Sequence, residues 1–220
     1  MSNIAENDNL ITMIDVGKTL YGADKIKKKS LFIRTLIIGI CVIIVLFSEA
    51  LFVTFYTGIY IIDGSMSPTL TGAESPYKKG GDYIYINTRV KPDYGDIVVV
   101  YSPNTVNSYT DKLIKRVVAF GGDTVKIEAG VLFVNGKEIT ERYISSDYNS
   151  EEINFSEHTV TDGCMFLLGD NRIGSQDSRS SKYGDIPLKN LVGVVPKWSL
   201  RTKNASTAFY TFFHFTLFGN

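Results

Sequence analysis

The chain has 220 residues, 44% of them apolar, which is enough for one folded domain with appended segments such as a membrane helix. Its 23 basic and 23 acidic residues give a formal net charge of zero, so no bulk field favours a nucleic-acid partner, and none is expected. The 13 tyrosines, 13 phenylalanines and 19 glycines favour a domain rich in strands and turns.

The first segment, residues 1–30, is polar and of mixed charge, and it ends in a basic cluster within residues 25–29. It is too short for a domain, so we predict a basic cytoplasmic leader that is partly helical at best. Basic residues crowd this side of the apolar run that follows, whereas the other side has none until Lys78. The positive-inside rule therefore predicts that the chain after residue 55 lies outside the cytoplasm.

Residues 31–56 are predicted to form a single transmembrane anchor, because residues 35–55 read TLIIGICVIIVLFSEALFVTF. About 20 helical residues cover the roughly 30 Å of bilayer hydrocarbon. Arg34 can reach the head groups, and Glu49 is tolerated best near the far interface. A buried core helix and a cleaved secretory signal are the alternatives. The long leader before the run favours an uncleaved anchor in the plasma membrane.

The next segment, residues 57–200, is predicted to be an extracytoplasmic domain that is mainly β, because strand and turn signals recur and no helical period extends over ten residues. An Asn-Gly pair at 135–136 predicts a hairpin. Residues 140–163 are polar and are expected to form an irregular excursion, and residues 186–198 are expected to supply a last strand pair. The other expected strands lie within residues 58–63, 81–86, 97–101, 112–128, 131–139 and 164–168.

The tail, residues 201–220, contains an aromatic stretch at 205–218 that is too short to cross the bilayer. Three arrangements are open for it: packing on the β domain, lying at the membrane interface, or disorder.

The cysteines and histidines predict neither a disulfide nor a metal site. Cys41 lies inside the apolar run, so a bond to Cys164 is implausible. His158 and His214 have no metal-ligand spacing with either cysteine. We therefore expect no metal and no other cofactor.

One stretch, DGSMSPTL at residues 63–70, holds Ser65 on a constrained backbone. Gly64 permits backbone angles barred to other residues, while Pro68 fixes its own φ and biases Ser67 towards an extended conformation. A serine held in this way is well placed to act as a nucleophile. A strand that ends in a turn explains the same residues.

A serine nucleophile needs a base, and Lys115 is the best candidate because it stands in an otherwise apolar strand, LIKRVV at residues 113–118. Burial lowers the pKa of a lysine from about 10.4 by up to several units, and the like charge of Arg116 lowers it further. A neutral Lys115 amine could take the Ser65 proton. The alternative is that Lys115 faces outward from the strand.

The most polar and turn-rich stretch of this domain is GDNRIGSQDSR at residues 169–179. A solvated loop is one interpretation. The other is a network that supports the lysine, in which Ser175 hydrogen-bonds to Lys115 and Asp177 pairs with Arg116 or Arg179.

Taken together, these stretches resemble the bacterial type I signal peptidases, which are membrane-anchored Ser–Lys endopeptidases. Four boxes of that family occur in family order: GSMSPTL at 64–70, GDIVVV at 95–100, KRVVAFGGD at 115–123 and GDNRIGSQDSR at 169–179. The resemblance covers residues 31–198. It implies a signal-peptidase-like β-sheet catalytic domain behind one N-terminal transmembrane helix, acting on the signal peptides of exported preproteins at the bilayer.

The resemblance also implies roles for individual residues. Ser65 matches the nucleophile, Lys115 matches the general base, and the Ser65 backbone N–H would be one oxyanion donor. Supporting positions are Ser175, which would orient the lysine amine, Asp177 and Arg179 as an ion pair, and Asp170 and Arg116 as structural polar residues. Positions near shallow pockets for small side chains, normally alanine, are Ile61, Asp63, Met66, Leu113 and Ile114.

Asp63 departs from the family pattern, which commonly has serine or glycine two residues before the nucleophile. In the serine type, the hydroxyl donates to the oxyanion. An ionised carboxylate at Asp63 would oppose the developing negative charge. Either Asp63 points away, or it is protonated, or the local alignment is shifted by one residue.

The favoured function is therefore removal of signal peptides by cleavage after small residues at −1 and −3. A second hypothesis keeps the Ser–Lys chemistry but assigns a pilin or surface-assembly protein as the substrate. A third is an inactive, membrane-anchored binding homologue, against which the retention of both Ser65 and Lys115 argues.

Overall fold

The computed structural model describes residues 2–75, 77–103 and 112–217. The chain divides into two compact units, Met1–Thr54 and Phe55–Asn220. The first unit is helical, and the second consists mainly of antiparallel strands.

Helix α1 runs from Ser2 to Phe55 and contains all the described residues of the first unit. Its stretch Lys27–Phe55 is long and apolar enough to cross a membrane. The expectation that the leader is only partly helical was wrong, because the helix continues through residues 2–30. No proline precedes Pro68, and extending an existing helix costs less per residue than starting a new one.

The described part of the second unit contains eleven strands and one α-helix. Short 3₁₀ turns occur at Ser146–Tyr148 and Leu188–Asn190, and a π-helical segment covers Phe212–Leu217. The strands and the helix are β1 (Tyr56–Tyr60), β2 (Tyr83–Asn87), β3 (Ile97–Tyr101), β4 (Lys112–Phe120), β5 (Thr124–Glu128), β6 (Val131–Val134), β7 (Lys137–Glu138), β8 (Phe155–Thr159), β9 (Cys164–Leu168), β10 (Ile186–Pro187), β11 (Leu191–Val194) and α2 (Lys197–Thr211).

Two antiparallel sheets make up the domain. The larger has seven strands in the order β1-β2-β11-β3-β4-β9-β10, and the smaller has four in the order β7-β6-β5-β8. Strand β4 lies inside the larger sheet and pairs with β3 on one side and β9 on the other. Its backbone is therefore held by hydrogen bonds from both neighbours. The smaller sheet is formed by the segment between β4 and β9. This mainly β domain behind a long apolar helix is the fold class that the sequence predicts.

Buried apolar clusters stabilise the two sheets and the β1–β2 connection. One cluster places Met66 and Leu70, from the connection between β1 and β2, against Ile84 and Ile97 of the larger sheet. A fully buried side chain of this size contributes about 1.5–3 kcal/mol relative to exposure. Another cluster packs β4 and β9 against the smaller sheet. The β1–β2 connection is thus anchored to the sheet by its apolar residues.

Most of the expected strands are present, and three expectations need correction. Strand β1 covers Tyr56–Tyr60 rather than residues 58–63, because the chain leaves its pairing with β2 after Tyr60. The segment 140–163 is not irregular throughout, since β8 lies within it; the side chains of β8 are largely exposed and give only a weak alternation. The two strands of residues 186–198 do not pair with each other: β10 pairs with β9, whereas β11 pairs with β3 and β2.

Helix α2 was not anticipated, because hydroxyl groups as well as apolar side chains such as Leu200 join it to the sheet. The Tyr83 N–H donates to the Thr207 hydroxyl at 2.7 Å, and the Tyr85 N–H donates to the Ser199 hydroxyl at 2.8 Å. The Tyr210 ring also stacks on that of Tyr83, with 4.3 Å between centroids. Of the three arrangements open for the tail, the described residues show packing on the β domain.

Candidate active site

Ser65 lies in a loop, residues 63–72, that we call the Ser65 loop. Its base is closed by backbone hydrogen bonds, since the Asp63 N–H donates to the Ala73 carbonyl at 3.1 Å and the Ala73 N–H donates to that of Ile61 at 3.0 Å. A Cβ at Gly72 would lie 1.5 Å from the Asp63 carbonyl oxygen, so only glycine fits there. The loop therefore has a closed base in addition to its buried apolar anchors.

Strand β4 brings Lys115 to the Ser65 side chain. The Lys115 Nζ lies 2.7 Å from the Ser65 Oγ, and it donates to the Ile114 carbonyl at 2.9 Å. Lys115 is 3% exposed and Ser65 is 6% exposed. Burial lowers the pKa of Lys115 below its ordinary value, although the negative charges of Asp63, Asp177 and Asp170 oppose this shift. Thus the lysine does not face outward, and its environment favours the neutral amine.

Asn171 joins the polar loop of residues 169–179 to the Ser65 loop. Its backbone N–H donates to the Ser65 carbonyl at 3.0 Å, and its Nδ2 donates to the Gly64 carbonyl at 3.0 Å. These two bonds fix the backbone on both sides of the Ser65 Cα. No role for Asn171 could be predicted from the sequence, because hydrogen bonds to backbone carbonyls leave no trace in a residue pattern.

A buried ion pair lies near Ser65 and Lys115. Arg116 donates to both carboxylate oxygens of Asp170, at 2.8 Å from Nε and 2.6 Å from Nη2. Asp170 also accepts from the Thr69 hydroxyl at 2.5 Å, and the Tyr143 ring lies 3.7 Å from the Arg116 guanidinium. The structure thus brings Arg116 and Asp170 together as an ion pair, which contacts the Ser65 loop through the Thr69 hydroxyl.

The predicted network around Ser175 and Asp177 is correct only in part. Asp177 pairs with Arg179, whose Nε and Nη2 each donate at 2.8 Å, and not with Arg116, which Asp170 already occupies. The expected bond between Ser175 and Lys115 is not observed. Among the described residues the buried Ser175 hydroxyl has no hydrogen-bond partner; it packs against Gly169, where a Cβ would lie 2.2 Å from it.

The expected oxyanion donor is also occupied in this structure. The Ser65 N–H donates to the Asp63 Oδ1 at 2.8 Å, so the Asp63 side chain points at the site rather than away from it. The expectation of an open oxyanion donor is therefore wrong for the protein without substrate, because the Asp63 side chain accepts the hydrogen bond of the Ser65 N–H.

The chain is similar in sequence to a family of known peptidases. The family described as "Signal peptidase, peptidase S26" matches residues 33–198. The chain belongs to this family. Signal peptidase I of Bacillus licheniformis is 32% identical over 177 residues, covering 76% of this chain and 87% of that one. Signal peptidase I S of Bacillus subtilis (strain 168) is 32% identical over 180 residues, covering 76% and 88%.

The resemblance seen in the sequence is thereby confirmed: the chain is a signal peptidase, a serine peptidase that cleaves signal peptides from preproteins. Its apolar helix anchors this peptidase in a membrane.

The five pocket positions of this signal peptidase do not come together as one group. Ile61, Met66 and Ile114 lie in the buried cluster beneath the Ser65 loop. Leu113 packs instead against the cluster on the other face of the sheet, because neighbouring side chains of a strand point to opposite faces. Asp63 is exposed. Their contact with substrate stays a prediction.

Lys203 of α2 is a further residue that the sequence analysis missed. Its Nζ donates to the Thr69 carbonyl at 3.1 Å and to the Asp82 carboxylate at 2.8 Å, and the same Asp82 oxygen accepts from the Thr71 N–H. Helix α2 of the signal peptidase therefore supports the Ser65 loop from outside the sheet. Only the fold brings position 203 next to position 69.

We expect Lys203→Met to lower the free energy of unfolding by about 1 kcal/mol and kcat by up to about tenfold, because the Ser65 loop loses a charged hydrogen bond and its nucleophile loses precise placement. Thermal unfolding and preprotein cleavage in detergent measure the two effects. Lys197→Met, at an exposed position at the start of the same helix, is the matched control. Equal kcat for the two variants would show that α2 does not position the loop.

Proposed function

We propose that Ser65 is the nucleophile of this signal peptidase and Lys115 its general base. The observation that carries the proposal is the 2.7 Å separation of the Ser65 Oγ and the Lys115 Nζ inside a buried environment. The Ile114 carbonyl accepts one amine N–H and so helps to orient the amine. In the neutral form, the lone pair of Nζ is then available to the Ser65 hydroxyl proton.

The reaction runs in two stages. In the first, the Ser65 Oγ bonds to the scissile carbonyl carbon as its proton passes to the Lys115 Nζ; the peptide C–N bond then breaks, and the leaving amine takes that proton. In the second, water gives a proton to Nζ and attacks the ester carbonyl. The bond between Oγ and the acyl carbon breaks, the proton returns to Ser65, and the signal peptide leaves as an acid.

The buried polar groups around the dyad support this assignment as positioning residues. The Arg179–Asp177 pair also accepts the Gly169 N–H through Asp177, at 3.0 Å, which fixes the start of the polar loop. Asn171 then holds the backbone of Gly64 and Ser65 from the same loop. These contacts preorganise the reacting atoms before the substrate arrives.

The proposed topology places the leader in the cytoplasm and residues 57–200 outside, as the basic residues before the anchor favour. Ser65 follows the end of α1 by ten residues, which keeps the reaction near the outer membrane surface. The substrate's own signal peptide lies in the same bilayer, so its effective concentration at Ser65 is high. The proposed substrates are exported preproteins with small residues at −1 and −3.

The test compares preprotein cleavage by the wild type and by Ser65→Ala, using one substrate with alanine at −1 and −3 and a second with bulky residues there. We expect the wild type to cut only the alanine substrate, directly after −1, and Ser65→Ala to cut neither. N-terminal sequencing of the product identifies the bond. Substantial cleavage by Ser65→Ala refutes the nucleophile, and equal processing of both substrates refutes the preference for small residues.

A further inference from the structure

Asp63 combines a fixed backbone with an exposed side chain. Its φ is 75°, in the left-handed region where aspartate is tolerated better than most residues. The backbone is held by the bond from the Asp63 N–H to Ala73 and by the close approach of Gly72 to its carbonyl. The side chain, in contrast, is exposed, so it can rotate into solvent without moving the loop.

The bond made by Asp63 uses the donor that the chemistry needs. When Oγ attacks, the carbonyl oxygen of the substrate becomes an oxyanion beside the nucleophile, and the nucleophile's own N–H is well placed to stabilise it. In this structure, that N–H points at the Asp63 Oδ1, 2.8 Å away. A carboxylate there occupies the position of the oxyanion and repels its charge.

The Asp63 charge also acts on the base. Three carboxylates favour the protonated form of Lys115 and so raise its pKa against the effect of burial: Asp63, Asp177 and Asp170, with the contribution of Asp63 the largest. Asp177 is paired with Arg179 and Asp170 with Arg116, whereas Asp63 makes no ion pair with any described residue. Of the three carboxylates, Asp63 is therefore the one without an arginine partner among the described residues.

We propose that the Asp63 side chain is a latch on the Ser65 N–H that keeps the oxyanion site closed in the free enzyme and is displaced when the scissile carbonyl of a preprotein enters. Asp63 is thus a positioning residue that restrains the peptidase until substrate binds. This inference rests on the proposed function of Ser65 and Lys115.

The test follows kcat and KM against pH for the full-length enzyme in detergent with one preprotein. Asp63→Gly removes the carboxylate and suits the positive φ; Asp63→Asn removes the charge but keeps an oxygen that can accept from the Ser65 N–H. For Asp63→Gly we expect the plateau of kcat/KM to rise on the order of tenfold, because the substrate no longer has to displace the carboxylate from the Ser65 N–H, and one oxyanion donor is worth about 10²–10³. The rising limb of its pH profile should also move to lower pH.

Asp63→Asn should show the same shift of the pH profile with a smaller rise of the plateau. Asp162→Asn, which removes a charge from an exposed turn, is the control and should match the wild type. A plateau for Asp63→Gly that equals or falls below that of the wild type overturns the latch, even if the pH profile shifts. Thermal unfolding shows whether a lower plateau comes from a loss of fold, and the Asn variant, of nearly the same shape, then decides.

The same series includes Asp63→Gly combined with Ser65→Ala. Cleavage by this double variant would refute the nucleophile assignment, whatever Asp63 does. No cleavage by the double variant together with an unchanged plateau for Asp63→Gly would leave the nucleophile intact and refute only the latch.

Discussion

Lys115→Met is expected to lower kcat for preprotein cleavage by about 10⁴-fold or more while the domain stays folded. Removal of a general base that activates a serine nucleophile has effects of this order in other serine peptidases. Methionine matches the length of the lysine stem and can fill the same buried space, but it cannot accept the Ser65 proton. KM should change little, because Lys115 touches the nucleophile and the Ile114 carbonyl rather than a substrate pocket.

The same substitution should raise stability, by about 1–2 kcal/mol near neutral pH, because a buried amine is costly and methionine is not. The folded-state pKa of Lys115 lies below its ordinary value of 10.5. The cost of the lysine is therefore full below the folded-state pKa and is lost above 10.5, so wild-type stability rises with pH between those two values. The advantage of the methionine should vanish across the same range.

Lys112→Met is the matched control, since Lys112 lies on the same strand with an exposed side chain above the Tyr101 ring. We expect kcat and stability close to those of the wild type. Single-turnover cleavage and chemical denaturation at several pH values measure both quantities. More than about 1% residual kcat in Lys115→Met would mean that another group takes the proton.

Asp170→Asn is expected to lower the free energy of unfolding by about 3–5 kcal/mol, because it leaves the Arg116 guanidinium buried without a countercharge. The pair is almost fully buried, with side-chain exposures of 10% for Arg116 and 1% for Asp170. The melting temperature of a domain of this size should fall by roughly 6–20 °C. Cleavage should fall as well, because Asp170 also holds the Thr69 hydroxyl of the Ser65 loop.

An exposed ion pair on the smaller sheet, Lys126 with Glu128, provides the comparison. Glu128→Gln should change stability by less than about 1 kcal/mol, since solvent screens such pairs. Replacing Arg116 and Asp170 together by methionine and leucine should recover much of the stability lost in Asp170→Asn, because no charge is then left unpaired. If Asp170→Asn behaves like Glu128→Gln, the buried pair does not stabilise the domain.

Residues with a local sequence signal could be predicted, whereas contacts between distant parts of the chain could not. Ser65 and Lys115 could be predicted as site residues because of their sequence context. Ser65 lies in a turn constrained by Gly64 and Pro68, and Lys115 is a basic residue in an apolar strand. Strand β3 was predicted at its observed bounds because its valines are buried on both faces. Helix α2 was missed because hydroxyl groups share its contacts with the sheet with a few apolar and aromatic side chains, so its sequence shows no clear apolar period.

Among the polar neighbours of Ser65 and Lys115, the family resemblance implied the pair of Asp177 with Arg179, and this pair is present. The pairing of Asp170 with Arg116 was not predicted. Residues 169–179 offer several carboxylates, hydroxyls and guanidinium groups within a short stretch, and a linear pattern does not determine which of them meet. The fold places Asp170 against Arg116 across β4 and β9, so Asp177 turns to Arg179. The same limit applies to Asp63, whose carboxylate could be seen as out of place but not located at the Ser65 N–H.

The order of elements along the chain has a consequence for the timing of activity during synthesis. Ser65, Lys115 and all the described strands precede α2, whereas Lys203, which steadies the Thr69 carbonyl, lies within it. A growing chain therefore carries both reacting groups before it carries the residue that completes the support of their loop. We therefore expect a translation product that ends before α2 to lack the Lys203 bond to the Thr69 carbonyl and to cleave preproteins more slowly than a chain that includes α2.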